Sequence, residues 1–204
     1  MSTAEVIALL VFCTAMSFSP GPNTTLSAAL AANHGLKRAL RFCLAVPAGW
    51  IALMLVSGLG LGALVTGVPL LRWAVKLVGV GYLLWLAWRL SRATGLLRVD
   101  PARLDVSFGQ GVLLQFLNIK AWMLALTLSA GWVVNTGGQP APNPGQRLAI
   151  ICAVMALFAF TSNFSYALMG SLLREWLAQG QRLRWFNRTL ALVLLATAVW
   201  MLAL

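Results

Sequence analysis

Two prolines flank a glycine in Ser19-Pro20-Gly21-Pro22-Asn23, in the middle of an apolar run from about Ala4 to Ala32. Each proline removes a backbone donor and crowds the carbonyl four residues earlier, while the glycine reaches backbone angles closed to other residues. At a wet surface, water repairs such a break. In hydrocarbon it persists only where it is buried in protein or lines a polar cavity. Composition decides which case applies: 60% hydrophobic and 9% charged residues, with a mean hydropathy of +0.85, mark an integral membrane protein. A chain of this kind is expected to be all-α, and its first helix to be interrupted.

Six apolar segments follow one another at about 4–32, 42–65, 70–88, 108–134, 148–173 and 189–204. The first is expected to be a retained transmembrane helix, because no basic region precedes it and it is too long for the core of a signal peptide. Asn33-His34-Gly35-Leu36-Lys37-Arg38 ends it. The second segment holds Pro47 and the glycines 49, 58, 60 and 62; Thr66-Gly67-Val68-Pro69 links it to the third, whose Gly79 and Gly81 are small enough to admit a neighbouring helix. Residues 89–107 form a basic linker dividing a single membrane domain, 1–204, into halves of about 1–88 and 108–204. The last segment, about sixteen residues, is shorter than the roughly 20 a span requires. It is expected to start within Trp185-Phe186-Asn187 or to cross thinned bilayer.

Fifteen Lys and Arg against four Asp and Glu give a formal net charge of +11. Nucleic acid is not the expected partner, because the charge is distributed by loop. Lys37, Arg38 and Arg41, then Arg89, Arg92, Arg98 and Arg103, then Arg174, Arg182, Arg184 and Arg188 occupy the odd loops, about 33–41, 89–107 and 174–188. The positive-inside rule places these in the cytoplasm and both termini outside.

Chemistry-bearing residues within the segments are few. Lys120 stands about twelve residues into the fourth, about 18 Å along a helix and close to the midplane of a core of roughly 30 Å. An ionisable group at that depth is a functional candidate by default, although a lysine there can also lock helices together. Asn118 accompanies it. Lys76, nearer a helix end and close to Arg72, reads as a snorkelling side chain. The polar cluster Thr161-Ser162-Asn163 can equally serve as interhelical glue, with Thr161 and Asn163 as its pathway candidates. None of the carboxylates Glu5, Asp100, Asp105 and Glu175 falls in a membrane core, which argues against a buried acid relay. Cys13, Cys43 and Cys152 are scattered through apolar sequence and read as small buried residues. No nucleophile–base grouping, metal-ligand spacing or phosphate loop is visible, so neither enzyme activity, cofactor nor metal is expected.

Each half contains three segments, so the halves enter the membrane from opposite sides, and each opens with its least regular helix. This is the pattern of a 3+3 inverted repeat whose interrupted helices meet at a central site. The chain resembles the LysE/RhtB family of amino-acid exporters in Ser19-Pro20-Gly21-Pro22-Asn23, His34-Gly35, Gly81-Tyr82-Leu83-Leu84-Trp85-Leu86-Ala87-Trp88 and Gln115-Phe116-Leu117-Asn118-Ile119-Lys120. Within that family it is most similar to the branch exporting cysteine and O-acetylserine. Ile119 stands where many relatives carry proline, so the fourth helix can run on through Lys120, leaving most of the bending to Pro20, Gly21 and Pro22, and whether it unwinds at Asn118–Lys120 stays open.

The resemblance implies export of a small neutral amino acid or derivative across the bacterial cytoplasmic membrane, driven by an ion gradient, the proton gradient being the expected one. The substrate carboxylate is expected at Lys120 and at backbone amides after Pro22, its amino group at Asn23, Asn118 and Asn163, with Thr24, Gln115 and Thr161 completing the site. The expected partners are the substrate and the lipid bilayer. A homodimer stays open on the glycine-rich faces of segments two and three, as do the alternatives of a channel or a non-transporting helical subunit of a membrane complex.

Overall fold

The computed structural model of the chain describes residues 1–58, 60, 68–93, 105–136 and 139–203. Residues 61–67 and the linker residues 94–104, with Gly62, Thr66, Arg98, Asp100 and Arg103, lie outside the described residues. In order, the elements are α1 (Thr3–Phe18), α2 (Pro22–His34), α3 (Leu36–Gly58), α4 (Pro69–Arg92), α5 (Phe108–Leu117), α6 (Ile119–Leu128), a π-helical turn (Ser129–Val134), a two-residue antiparallel pairing of Asn135–Thr136 with Gln139–Pro140, α7 (Pro144–Leu172), α8 (Arg174–Leu177) and α9 (Arg182–Ala203).

The helix starts follow local chemistry. Ser2 Oγ accepts the Glu5 amide at 3.3 Å while Glu5 Oε2 accepts the Ser2 amide at 2.6 Å, and Ser107 with Gln110 repeats this reciprocal cap at α5. Proline occupies the first position of α2, α4 and α7, where the missing N–H has no helical partner anyway. Four helices, α3, α4, α7 and α9, are each long and apolar enough to cross a membrane; α1 with α2, and α5 with α6 and the π-turn, qualify only as bent pairs. The protein is thus a helical membrane protein with four to six candidate spans. The final helix begins at Arg182, earlier than expected, and presents a span of 21 residues without bilayer thinning. Its leading arginines are tolerable because they lie over rings: Arg182 over Trp176 at 4.6 Å and Arg188 over Trp185 at 5.5 Å.

At the centre, α3 packs on α7 and also receives α2, α5 and α6; α2 packs on α7, and α4 pairs with α9. Accordingly half of the apolar window of α3 is buried inside the protein, against a third for α4 and α7. The remaining faces carry large exposed apolar side chains such as Leu70 and Leu172, as lipid contact requires.

Two glycines make close crossings. A Cβ on Gly79 of α4 would overlap the Leu117 carbonyl at the end of α5, and one on Gly170 of α7 would overlap the Ala28 carbonyl of α2. Gly81, by contrast, meets nothing within 4 Å. Gly49 and Gly58 also face neighbours within the chain, Gln115 and Leu148 respectively, so with Gly79 three of the glycines that left a homodimer open serve internal packing.

Polar ties close both ends. At one, the buried Arg147 guanidinium donates to Glu5 Oε1 at 2.8 Å, to the Trp132 carbonyl at 3.2 Å and to the Pro142 carbonyl at 3.1 Å, and Trp132 Nε1 donates to the Glu5 carbonyl. At the other, the buried amides of Asn33 and Asn187 exchange hydrogen bonds of 2.8 and 2.9 Å, and Asn187 also donates to the Ala93 carbonyl. Lys76 lies over Trp73 at 4.7 Å, bent toward the start of its own helix. Cys13, Cys43 and Cys152 are free, the first two buried.

Candidate functional site

The chain bends by 51° between α1 and α2 and by 71° between α5 and α6 with the π-turn. The fourth segment is therefore broken at Asn118 and does not run on through Lys120, and the larger bend lies where proline is missing. Asn118 supplies the reason. Its backbone is extended (φ −94°, ψ 100°), its Oδ1 accepts the Lys120 amide at 3.1 Å, and its carbonyl accepts the Ala121 and Trp122 amides. Asparagine thus starts a new helix by satisfying freed donors, where proline would remove them. Trp122 Nε1 completes the repair by donating to the Phe116 carbonyl at 2.8 Å.

The first break is repaired in the same manner. Thr24 Oγ1 accepts the Gly21 amide at 3.0 Å, the Ser19 hydroxyl donates to the Met16 carbonyl at 2.9 Å, and the Tyr166 hydroxyl donates to the Phe18 carbonyl at 3.1 Å. In both places side chains do what water does at a soluble surface.

The two breaks meet at a cavity of about 60 Å³, room for a few waters. Its polar lining comes from Ser17, Ser19, Asn23 and Thr24 at the first break, Asn118 and Lys120 at the second, and Ser162 and Asn163 on α7; Trp50, Met155 and Leu124 supply apolar walls. Lys120 Nζ crosses the space to donate to Ser19 Oγ at 3.1 Å and stands 5.9 Å from the Trp200 ring of α9. An ammonium has three donors, so others remain for a ligand. The N-termini of α2 and α6 also border the cavity, each contributing about half a positive charge from its helix dipole. Among the described residues the lining contains no carboxylate. The cavity is therefore electropositive, polar on one side and apolar on the other.

Asn163 is held rigidly, with Oδ1 accepting from Ser27 at 2.9 Å and Nδ2 donating to the Ala159 carbonyl at 2.7 Å; Cys43 in turn lies 3.9 Å from Ser27. Gln115 does not line the cavity. It is fully buried and exchanges hydrogen bonds of 2.9 and 3.1 Å with Asn23, fixing that side chain from behind. Thr161 is a correction: its hydroxyl donates to the Leu157 and Phe158 carbonyls of its own helix and does not reach the cavity, because one residue of rotation separates it from Ser162. Pro22 and Gly21 border the cavity, while Pro20 is exposed on its far side. Ser17, Ser19 and Ser162 line the cavity without having been expected there, although the last two stand inside the Ser19–Asn23 and Thr161–Asn163 stretches. Trp200 carried no signal at all, since an aromatic residue in an apolar helix looks like any other.

The profile described as LysE type translocator matches residues 14–203. The chain belongs to the LysE type translocator family. Curated relatives include the cysteine/O-acetylserine efflux protein of Klebsiella pneumoniae subsp. pneumoniae, 29% identical over 189 residues that cover 91% of this chain and 92% of the relative. Proteins of the same description from Salmonella typhi and Escherichia coli K12 are each 29% identical and cover 90% of both chains. No solved structure matches. As a LysE type translocator the protein is a transporter, not an enzyme, and among the described residues no cluster of three or more His, Cys, Asp or Glu is placed to hold a metal.

Proposed function

We propose that this LysE type translocator exports a small neutral amino acid or derivative, of the cysteine or O-acetylserine kind, across the bacterial cytoplasmic membrane. The observation that carries the reading is the Lys120–Ser19 contact, which places the one cation of the cavity between two helix N-termini. A substrate α-carboxylate displaces Ser19 as the partner of Lys120 and gains the amides that open α2, with the dipole of α6 adding positive potential. The α-amino group takes acceptors at Asn23 and Asn118, and a short side chain turns toward Ser162, Asn163 and the apolar wall of Trp50 and Met155.

Alternating access is supported by the reciprocity of the packing. With 1–88 and 108–204 as inverted halves, the second span of each, α3 and α7, pack together, as do the third spans, α4 and α9. Each broken first span also leans on the second span of the other half. The two halves rock about the cavity, with both termini outside and the basic loops in the cytoplasm. Among the described residues the cavity has no acid to carry a coupling proton, so the proton of the driving gradient rides on Lys120. Any homodimer uses the face near Gly81 and not the glycines packed inside the chain.

Efflux from proteoliposomes tests the reading. Lys120→Met abolishes O-acetylserine efflux and binding, Lys120→Arg weakens both, and cysteamine, which lacks the carboxylate, fails to compete with cysteine. Wild-type efflux in both variants would remove Lys120 from the site, and flux that does not saturate with substrate would make the protein a channel.

A further inference from the structure

Away from the cavity, α4 and α9 leave an apolar groove of about 410 Å³ between them. Its size falls within the roughly 300–1,000 Å³ of ordinary ligand sites. The sequence makes it by pairing small residues with large ones. Ala87 and Ala191 are nearly buried and form the floor, while Leu192, 63% exposed, stands up as a wall. Two indoles, Trp88 and Trp185, and the guanidinium of Arg188 form the mouth.

The mouth has the composition of a membrane–water boundary: exposed tryptophans with arginines laid over them, Arg92 over Trp88 at 4.8 Å and Arg188 over Trp185 at 5.5 Å. Both arginines are exposed, and among the described residues neither has a carboxylate partner. A guanidinium that has no acid and stands above an apolar slot suits a ligand with an anionic head and a hydrocarbon body.

We propose that this groove binds an anionic diacyl phospholipid, one acyl chain lying along Ala87 and Ala191 and the phosphate held by Arg92 and Arg188. The positive-inside reading puts this mouth in the cytoplasmic leaflet. Charge complementarity favours a lipid over a second copy of the chain, because a twofold contact through this face sets Arg92 and Arg188 against their own images. The site is separate from the cavity at Lys120, yet Arg188 adjoins Asn187, whose amide ties α9 to Asn33 of α2. A lipid seated here therefore braces the helix that closes this end of the transport unit.

The test is native mass spectrometry of the purified full chain titrated with phosphatidylglycerol or with phosphatidylcholine of the same chains. Wild type is expected to retain one phosphatidylglycerol about tenfold more tightly than phosphatidylcholine. The double variant Arg92→Gln/Arg188→Gln loses that preference, whereas Arg38→Gln/Arg41→Gln, at another basic loop, keeps it. Ala191→Phe, which fills the groove, loses the retained lipid, with thermal unfolding in detergent showing that the variant is folded; Leu192→Ala, which removes the wall, weakens retention and serves if Ala191→Phe fails to fold. Equal retention of the two lipids, or a preference indifferent to Arg92 and Arg188, overturns the proposal. So does a dimer whose crosslinks run through Trp185, since the groove then belongs to a second copy.

Discussion

The two helix breaks reach the same result by different chemistry. The first is written in the backbone: prolines at 20 and 22 and a glycine between them cannot carry an unbroken helix. The second contains no proline, yet it bends further, 71° against 51°. Its cause is an asparagine cap, an indole that satisfies the Phe116 carbonyl, and a glycine on α4 that admits the Leu117 carbonyl. A break caused by covalent structure is local, whereas one caused by side chains depends on its surroundings. The first should therefore survive the loss of any one support, and the second should not.

Substitution at Gly79 is expected to have the largest effect. Gly79→Val pushes into the Leu117 carbonyl and costs about 3 kcal/mol or prevents folding, while Gly81→Val, with open space around it, is tolerated; thermal unfolding of the two variants in detergent makes the comparison. Next is Asn118→Ala, which removes the cap of α6 at a cost of about 1 to 2 kcal/mol. This change also lets the helix straighten, so spin-label distances across residue 118 lengthen and efflux falls about tenfold. Tyr166→Phe strips the Phe18 carbonyl of its donor and costs about 1 kcal/mol, without changing distances across the first break. The smallest effect is expected of Pro22→Ala, about 0.5 kcal/mol, because the first position of a helix does not need proline and Thr24 still caps Gly21. Should Pro22→Ala straighten the first break while Asn118→Ala leaves the second bent, the assignment of causes is reversed.

The same contrast explains what was legible in the sequence. Proline and glycine act on their own backbone, so the first break could be read from five residues. Lys120 was legible because a charge in an apolar helix has few meanings. Asn118 was noticed beside it, but whether an asparagine caps a new helix or faces a neighbour depends on Trp122, Gly79 and the whole α4 crossing. Thr161 failed for a related reason: composition locates a polar cluster on α7, but rotation about the helix axis decides which member faces the cavity. That rotation is set by α2 and α3, against which α7 packs. The early start of α9 was hidden by its arginines, which look like loop residues until Arg182 and Arg188 are each found lying on a tryptophan.

The absence of a carboxylate from the described lining of the cavity has an electrical consequence. An elementary charge carried across the full membrane field feels about 2.3 kcal/mol per 100 mV. With Lys120 charged and the cavity empty, a negative-inside potential favours the arrangement in which that charge communicates with the cytoplasm, the side from which cargo is loaded. A zwitterionic cargo brings no net charge, so the loaded protein feels the voltage as the empty one does. In polarised vesicles without any pH difference, the balance between inward- and outward-facing forms, read from spin-label distances, would then shift with voltage in wild type and not in a Lys120→Met variant.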